Sequence, residues 1–254
     1  MSGSSSVVPV ITDVSPTDWS YTEVRKRRSG MGQYTLIETF QGSKTAPRAQ
    51  FPRMRSPFGA SVPFQVAKDI ERGAHVEVDR YTLDCDVIDR DLVDWCETFD
   101  EFNRQYCLAN KTAIFKNSES INESSIVHFY RPTITASKDP KWSPKIRFKI
   151  TSDTRLYRYN SRTDSTSRIP FSDASNIKSG DEVLPIAYIT GLWLQPKEAG
   201  VTLNLSDVVW FPSTTMEERY DFNPIGFPTG KLPSLETDDL EEDIEMETTS
   251  TGSS

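Results

Sequence analysis

The stretch Lys145-Ile-Arg-Phe-Lys-Ile150 alternates basic and apolar side chains without a break. In an extended strand that alternation puts Lys145, Arg147 and Lys149 on one face and Ile146, Phe148 and Ile150 on the other, so one face is core and the other a row of positive charge. Shortly after, Arg155, Tyr157 and Tyr159 share a face with Leu156 and Arg158 opposite, and the preceding loop offers Lys141 and Trp142. Basic and aromatic groups are thus interleaved on neighbouring strands. Single-stranded nucleic acid requires this combination: cations follow the phosphates while aromatic faces stack on unpaired bases, at about 1–3 kcal/mol per base. Duplex does not need exposed rings. Three like charges on one strand face repel each other, so the row costs stability unless something neutralises it.

The charge distribution extends the same argument. The 254 residues carry 29 Lys+Arg and 37 Asp+Glu, a net −8. Residues 234–254 hold eight of the acids (Glu236, Asp238, Asp239, Glu241, Glu242, Asp243, Glu245 and Glu247) and no base, which leaves residues 1–233 neutral. Within that body, residues 25–68 hold nine bases and one acid, residues 69–101 three bases and twelve acids, and residues 131–168 ten bases and three acids. Two basic blocks flank an acidic one. Basic blocks are the footprint of a polyanion partner, and a terminal acidic run reads as a disordered interaction tail. Tethered near a basic groove, such a tail acts as an intramolecular polyanion that competes with DNA and, once displaced, is free to recruit partners.

The elements that would carry these groups follow from periodicity. Gln33–Phe40, Ser61–Ala67 and His75–Leu83 read as strands. From Asp89 to Lys111 the period changes: Leu92, Trp95, Cys96, Phe99, Phe102, Asn103 and Tyr106 fall at three- and four-residue steps, which predicts one amphipathic helix over about 89–110. The β pattern returns at Ile126–Thr133, Lys145–Thr151, Arg155–Asn160, Val183–Leu194 and Val201–Phe211, with a turn at Gln195–Gly200. About eight strands and one helix make a mainly β domain, a barrel or a sandwich. The expected organisation is a flexible, basic-ended leader over 1–29, a domain over 30–232 and a disordered acidic tail over 233–254.

The segments HFYRPTI (128–134), DPKWSPKIRFKI (139–150) and LPIAYITGLWLQPKEAGVTLNLSDVVWF (184–211), followed by an acidic tail, resemble the single-stranded DNA-binding proteins of large nucleocytoplasmic DNA viruses. Those are in turn similar to the replicative single-strand binding protein of short-tailed phages. The resemblance spans residues 30–247 in order, with its specific match in 126–211. It implies an OB-fold-like barrel with an inserted helix, a basic and aromatic groove, and an acidic tail that contacts replication partners (polymerase, helicase or primase) and competes with DNA. On this chain the groove expectation falls on Lys145, Arg147, Lys149, Tyr157 and their neighbours Lys141, Trp142, Arg155, Arg158, Tyr159 and Arg131, and the tail expectation on Glu236–Glu247. It also implies service in DNA replication, recombination or repair at a viral replication site in host nucleus or cytoplasm, with a homodimer as one possible assembly. The phage tails end in an aromatic residue, whereas here the acids are followed by Thr-Thr-Ser-Thr-Gly-Ser-Ser.

Other chemistries find less support. Asp84, Asp86, Asp89, Asp91 and Asp94 suggest a divalent-metal nuclease, but Asp89, Asp91 and Asp94 sit where a helix start favours acids. His75 and His128 alternate with apolar neighbours and read as structural histidines in strands. Cys85, Cys96 and Cys107 are odd in number and dispersed, as expected of free thiols in a reducing, intracellular compartment. Arg25-Lys-Arg-Arg28 is a weak import or DNA-contact signal, and Gly30-Met-Gly32 lacks the Lys and length of a phosphate loop. Neither G-x-S-x-G nor H-E-x-x-H occurs. The expectation is therefore a non-enzymatic binding protein without cofactor, metal or membrane span. The alternative is a β-sandwich structural or adaptor protein of a virus particle or regulatory complex, whose basic blocks bind an acidic protein.

Overall fold

In the computed structural model, residues 8–26, 33–39, 46–115, 118–195 and 197–213 are described, and the acidic segment 233–254 lies outside them. The strands are β1 (Trp19–Tyr21), β2 (Arg25–Lys26), β3 (Gln33–Thr39), β4 (Arg48–Gln50), β5 (Met54–Arg55), β6 (Ala60–Ser61), β7 (Arg80–Asp86), β8 (Ile134–Thr135), β9 (Lys145–Thr151), β10 (Arg155–Asn160), β11 (Ser165–Ile169), β12 (Glu182–Leu194) and β13 (Ala199–Phe211). The helices are α1 (Phe64–Glu71), α2 (Arg90–Ala109), α3 (Lys111–Ile114) and α4 (Glu123–Phe129).

The strand pairings close on themselves. The broken segment 48–61 runs antiparallel to β12 through β4 and β5, and antiparallel to β7 through β6. β7 pairs antiparallel with β9, β9 parallel with β13, and β13 antiparallel with β12, which returns to the start. The result is a ring of five, in chain order one-two-three-five-four. Inside it, Leu83, Cys85, Ile146, Phe148, Ile150, Val183, Ala187, Leu203 and Leu205 are buried, each alternating with an outward polar or partly exposed neighbour. The β10–β11 hairpin is added to the free edge of β13, with β10 parallel to it. α2 leaves the ring between its second and third strands and buries Leu92, Trp95, Cys96, Phe99 and Cys107 along one stripe. Asp89 caps it, accepting from the backbone N–H of Asp91 and Leu92.

Several expectations are corrected. Ser61–Ala67 is not a strand: beyond the two residues of β6, α1 starts directly after Pro63, its Gln, Ala, Lys and Glu favour helix, and Gln65 donates to Asp69 one turn on. The first half of Ile126–Thr133 belongs to α4, because Asn122 accepts from Ser125 N–H and Ile126 and Phe129 then share the buried face. The third predicted strand starts at Arg80 rather than His75. His75 is exposed in a loop and His128 exposed on α4, so neither is a strand histidine. Residues 8–26 of the leader are docked rather than loose: Ile11 is fully buried, Trp19 packs edge-on against Trp95 and Phe99, and Trp95 Nε1 donates to the Val14 carbonyl at 2.7 Å. An amphipathic helix alone leaves those rings in water, and the leader covers them. The three cysteines are free and buried, and burial raises each thiol, Cys107 to about 12.

Candidate nucleic-acid interface

An open cleft of about 800 Å³ lies where the outer face of β9 meets the turn between β12 and β13. Alternation along β9 delivers Lys145, Arg147 and Lys149 to it, while Ile146, Phe148 and Ile150 fill the barrel. Arg131 enters from the opposite wall. That wall is built by the helices: Tyr130 bridges to Ala199, and Arg131 N–H donates to the Ala199 carbonyl. Behind it lies a buried polar network, in which the Asp100 carboxylate accepts from Thr133 N–H, from Thr133 Oγ1 at 2.6 Å and from the Tyr130 hydroxyl at 2.8 Å. Asn103 donates to Tyr130 and accepts from Tyr21. Burial raises the Asp100 carboxyl, although its hydrogen bonds from Thr133 and Tyr130 pull the other way. Two residues of α2 thus hold the strip 130–133 against the barrel.

Two aromatic side chains belong to the cleft. Trp193 lines it, lying so close over Gly200 that a Cβ there would sit 2.7 Å from Trp193 Cζ2. A side chain at position 200 would push the indole away from this place. Phe58, 65% exposed, stands at the rim with Lys145 Nζ 5.5 Å from its ring centroid. Its turn is rigid: Ser56 Oγ accepts from Gly59 N–H and donates to the Asp84 carbonyl, and Ser179 donates to the Pro57 carbonyl. Gly59, at φ 73°, approaches Ile177 O too closely for any side chain.

The row of cations is partly neutralised from within the cleft. Asp84 on β7 accepts from Arg147 Nε at 2.7 Å and Nη2 at 2.8 Å, and Glu198 pairs with Arg131. The Asp84 hydrogen bonds hold the Arg147 guanidinium above its ordinary value, so it stays charged. Lys145 Nζ donates to the Ser143 carbonyl and Lys149 Nζ to Thr202 Oγ1. Four cations face two carboxylates, and the cleft remains positive.

Of the sequence-predicted residues, the structure brings Lys145, Arg147, Lys149 and Arg131 together and leaves the others elsewhere. Lys141 and Trp142 sit in an exposed turn outside the cleft lining, with Trp142 64% exposed. Arg155, Tyr157 and Tyr159 lie on the outer face of β10, which pairs with the far end of β13, and Arg158 points to the opposite face, 5.2 Å above the Trp210 ring. The parallel pairing of β10 with residues 207–210, beyond the 203–204 contact of β9, causes the separation. Phe58, Trp193 and Glu198 carry no signal in the sequence that marks them for the cleft, and Asp84 is legible there only as one of five acids in a candidate metal cluster. An acidic strand face is a candidate neighbour for a basic one, but strand register decides that Asp84 is the residue opposite Arg147. Three of the five aspartates proposed as a metal cluster have other tasks: Asp84 pairs with Arg147, Asp89 caps α2 and Asp94 pairs with Arg90. Among the described residues no group of three potential ligands could hold a metal ion, and no helix is long and apolar enough to cross a membrane.

No protein-family model matches the sequence, and none of the curated proteins does. Among solved structures, the chain is similar to the crystal structure of gp2.5, a single-stranded DNA-binding protein encoded by bacteriophage T7, with a TM-score of 0.38 and 13% identity over 71% of this chain and 98% of that one.

Proposed function

We propose that this chain binds single-stranded DNA with little sequence preference, as a non-enzymatic component of replication, recombination or repair. The observation that carries the reading is the convergence of Lys145, Arg147, Lys149 and Arg131 with Trp193 in the lining of one open cleft. Cations and an aromatic ring in one cleft suit a strand whose bases are free to stack, whereas a paired duplex offers no base face. The ring of pairings supports it: a five-stranded Greek-key barrel in the order one-two-three-five-four is the OB-fold arrangement, which binds oligonucleotides on its second and third strands and the loop between its fourth and fifth. Here those are β7, β9 and the turn at Gln195–Glu198, the elements that line the cleft. The motifs in 126–211 carry the same reading toward the proteins of large DNA viruses, with polymerase, helicase or primase as partners of the acids between Glu236 and Glu247.

The test is a titration of intrinsic tryptophan fluorescence and of labelled-oligonucleotide anisotropy with poly-dT, duplex DNA and matched RNA at two salt concentrations. Salt-sensitive binding of poly-dT, tighter than duplex and accompanied by quenching, is expected. Removing residues from 233 onward should raise the affinity for DNA and abolish partner binding; equal affinity of the full and shortened chains would sink the competition. No binding of poly-dT by either chain would discard the reading in favour of an acidic protein partner.

A further inference from the structure

A second cationic and aromatic surface covers the outward face of β4, β12, β13 and β10, away from the cleft. The registers place it: Arg48 opposes Tyr188, Tyr188 opposes Asn204, and Asn204 opposes Lys149 of the cleft. Along β13 the outward positions continue from Asn204 past a bulge to Asp207, Val209 and Phe211, and β10 sets Arg155 beside Asp207 and Tyr157 beside Val209. By strand rise this is roughly 20 Å of continuous face.

Its centre is built rather than incidental. Asp207, buried, accepts from Arg155 Nη2 at 3.0 Å with Nε ion-paired at 2.7 Å, and also pairs with Arg48, whose Nε donates to Ser206 at 2.9 Å. One carboxylate therefore fixes two guanidinium groups and cancels one of their charges. Each guanidinium keeps N–H donors that Asp207 does not use, a geometry suited to a phosphate oxygen. Aromatic rings flank the pair. Tyr188, 39% exposed, lies 5.9 Å from the Arg48 guanidinium, and farther along Phe211 packs against Tyr159 with Arg53 3.9 Å above its ring.

We propose that this face is a second subsite for the same single strand, which leaves the cleft at Lys149, crosses β13 at Asn204 and β12 at Tyr188, and has a phosphate held by the Arg48–Asp207–Arg155 clamp. The proposal rests on the cleft being a single-strand site. Its own content is that the footprint includes the added β10–β11 hairpin side of the barrel. A short oligonucleotide fills the cleft alone, and a longer one reaches the clamp.

The experiment measures the affinity of the full chain for oligothymidylates from about 4 to about 30 nucleotides, the span of lengths that one such barrel occupies and beyond. The wild type should tighten by about tenfold over a limited range of lengths, beyond the gain from the larger number of binding registers. Tyr188→Ala with Arg155→Gln should bind the shortest oligonucleotides as the wild type does and lose that step, and Tyr157→Ala, which leaves the Asp207 pairs untouched, should lose part of it. A step that persists in both variants overturns the second subsite while leaving the cleft intact. Absence of binding at every length in the wild type overturns the cleft reading itself. If the variants keep the step but no longer bind a peptide of residues 234–247, the face belongs to the acidic segment and the proposal fails.

Discussion

Arg147 and Asp84 stand directly opposite each other on β9 and β7 and are joined by two parallel hydrogen bonds, of 2.7 and 2.8 Å, at the mouth of the cationic cleft. The carboxylate occupies the place a phosphate would take on that guanidinium, and it adds negative charge where a polyanion is to bind. It acts on the strength of binding and on the barrel's integrity in opposite senses.

Asp84→Asn should therefore tighten single-stranded DNA binding severalfold at low salt and steepen its salt dependence, because one anion is removed from the site. Anisotropy titrations at several salt concentrations check this. Weaker binding by the variant would mean that Asp84 serves mainly to aim Arg147.

Replacing Lys145, Arg147 and Lys149 together by Ala should weaken binding and flatten the log–log salt slope by about 1 to 2, given a slope near −0.7 per phosphate on a single strand. These side chains point out of the barrel, so the melting temperature should change little. An unchanged slope would remove the row from the interface.

Trp193→Ala should cost about 1–3 kcal/mol of binding, the value of one stacked base. Gly200→Ala should cost a fraction of that, since its new methyl would meet the indole at 2.7 Å and force it to move. Fluorescence quenching by poly-dT should fall in both variants, and wild-type binding by both would make Trp193 a wall rather than a platform.

Stability should depend on Asp207 in acid. Burial alone would raise its carboxyl, but hydrogen bonds from Arg155, Ser206 and Arg48 outweigh it and hold the group below the ordinary carboxylate value. A group depressed in the folded state stabilises it at pH values above the unfolded value of about 3.9, and that contribution fades as pH falls through the folded value. Asp207→Asn should thus be less stable than the wild type at pH 7, and urea unfolding followed from pH 7 to 3 should show the gap narrowing below about pH 4. Asp100, raised by burial, works in the other direction: its protonation favours the folded state as pH falls toward the ordinary value.

Loss of the α2 cap in Asp89→Ala should cost about 1 kcal/mol, read as a fall of roughly 2–4 °C in melting temperature, with DNA binding unaffected. A larger loss would show that Asp89 does more than accept from Asp91 and Leu92.

The elements with a strong period were evident in the chain itself: the 20 residues of α2, the alternation of β9, and the long strands β12 and β13, where local patterning and core burial demand the same structure. Free, dispersed thiols and the candidate basic row could be read in the same way. The short segments could not. Ser61–Ala67 and Ile126–Thr133 are apolar enough for either state, and helices that start after Pro63 and after the Asn122 cap took residues 64–67 of the first and 126–129 of the second. Which charges would meet was beyond any local rule, because it depended on pairing across distant parts of the chain. Register set Asp84 against Arg147, and the parallel docking of β10 on the end of β13 carried Tyr157 and Tyr159 away from the row that precedes them. Periodicity records which side chains share a face; only the closing of the barrel brings one face to another, since long-range strand pairing depends on buried area and register summed over the whole ring.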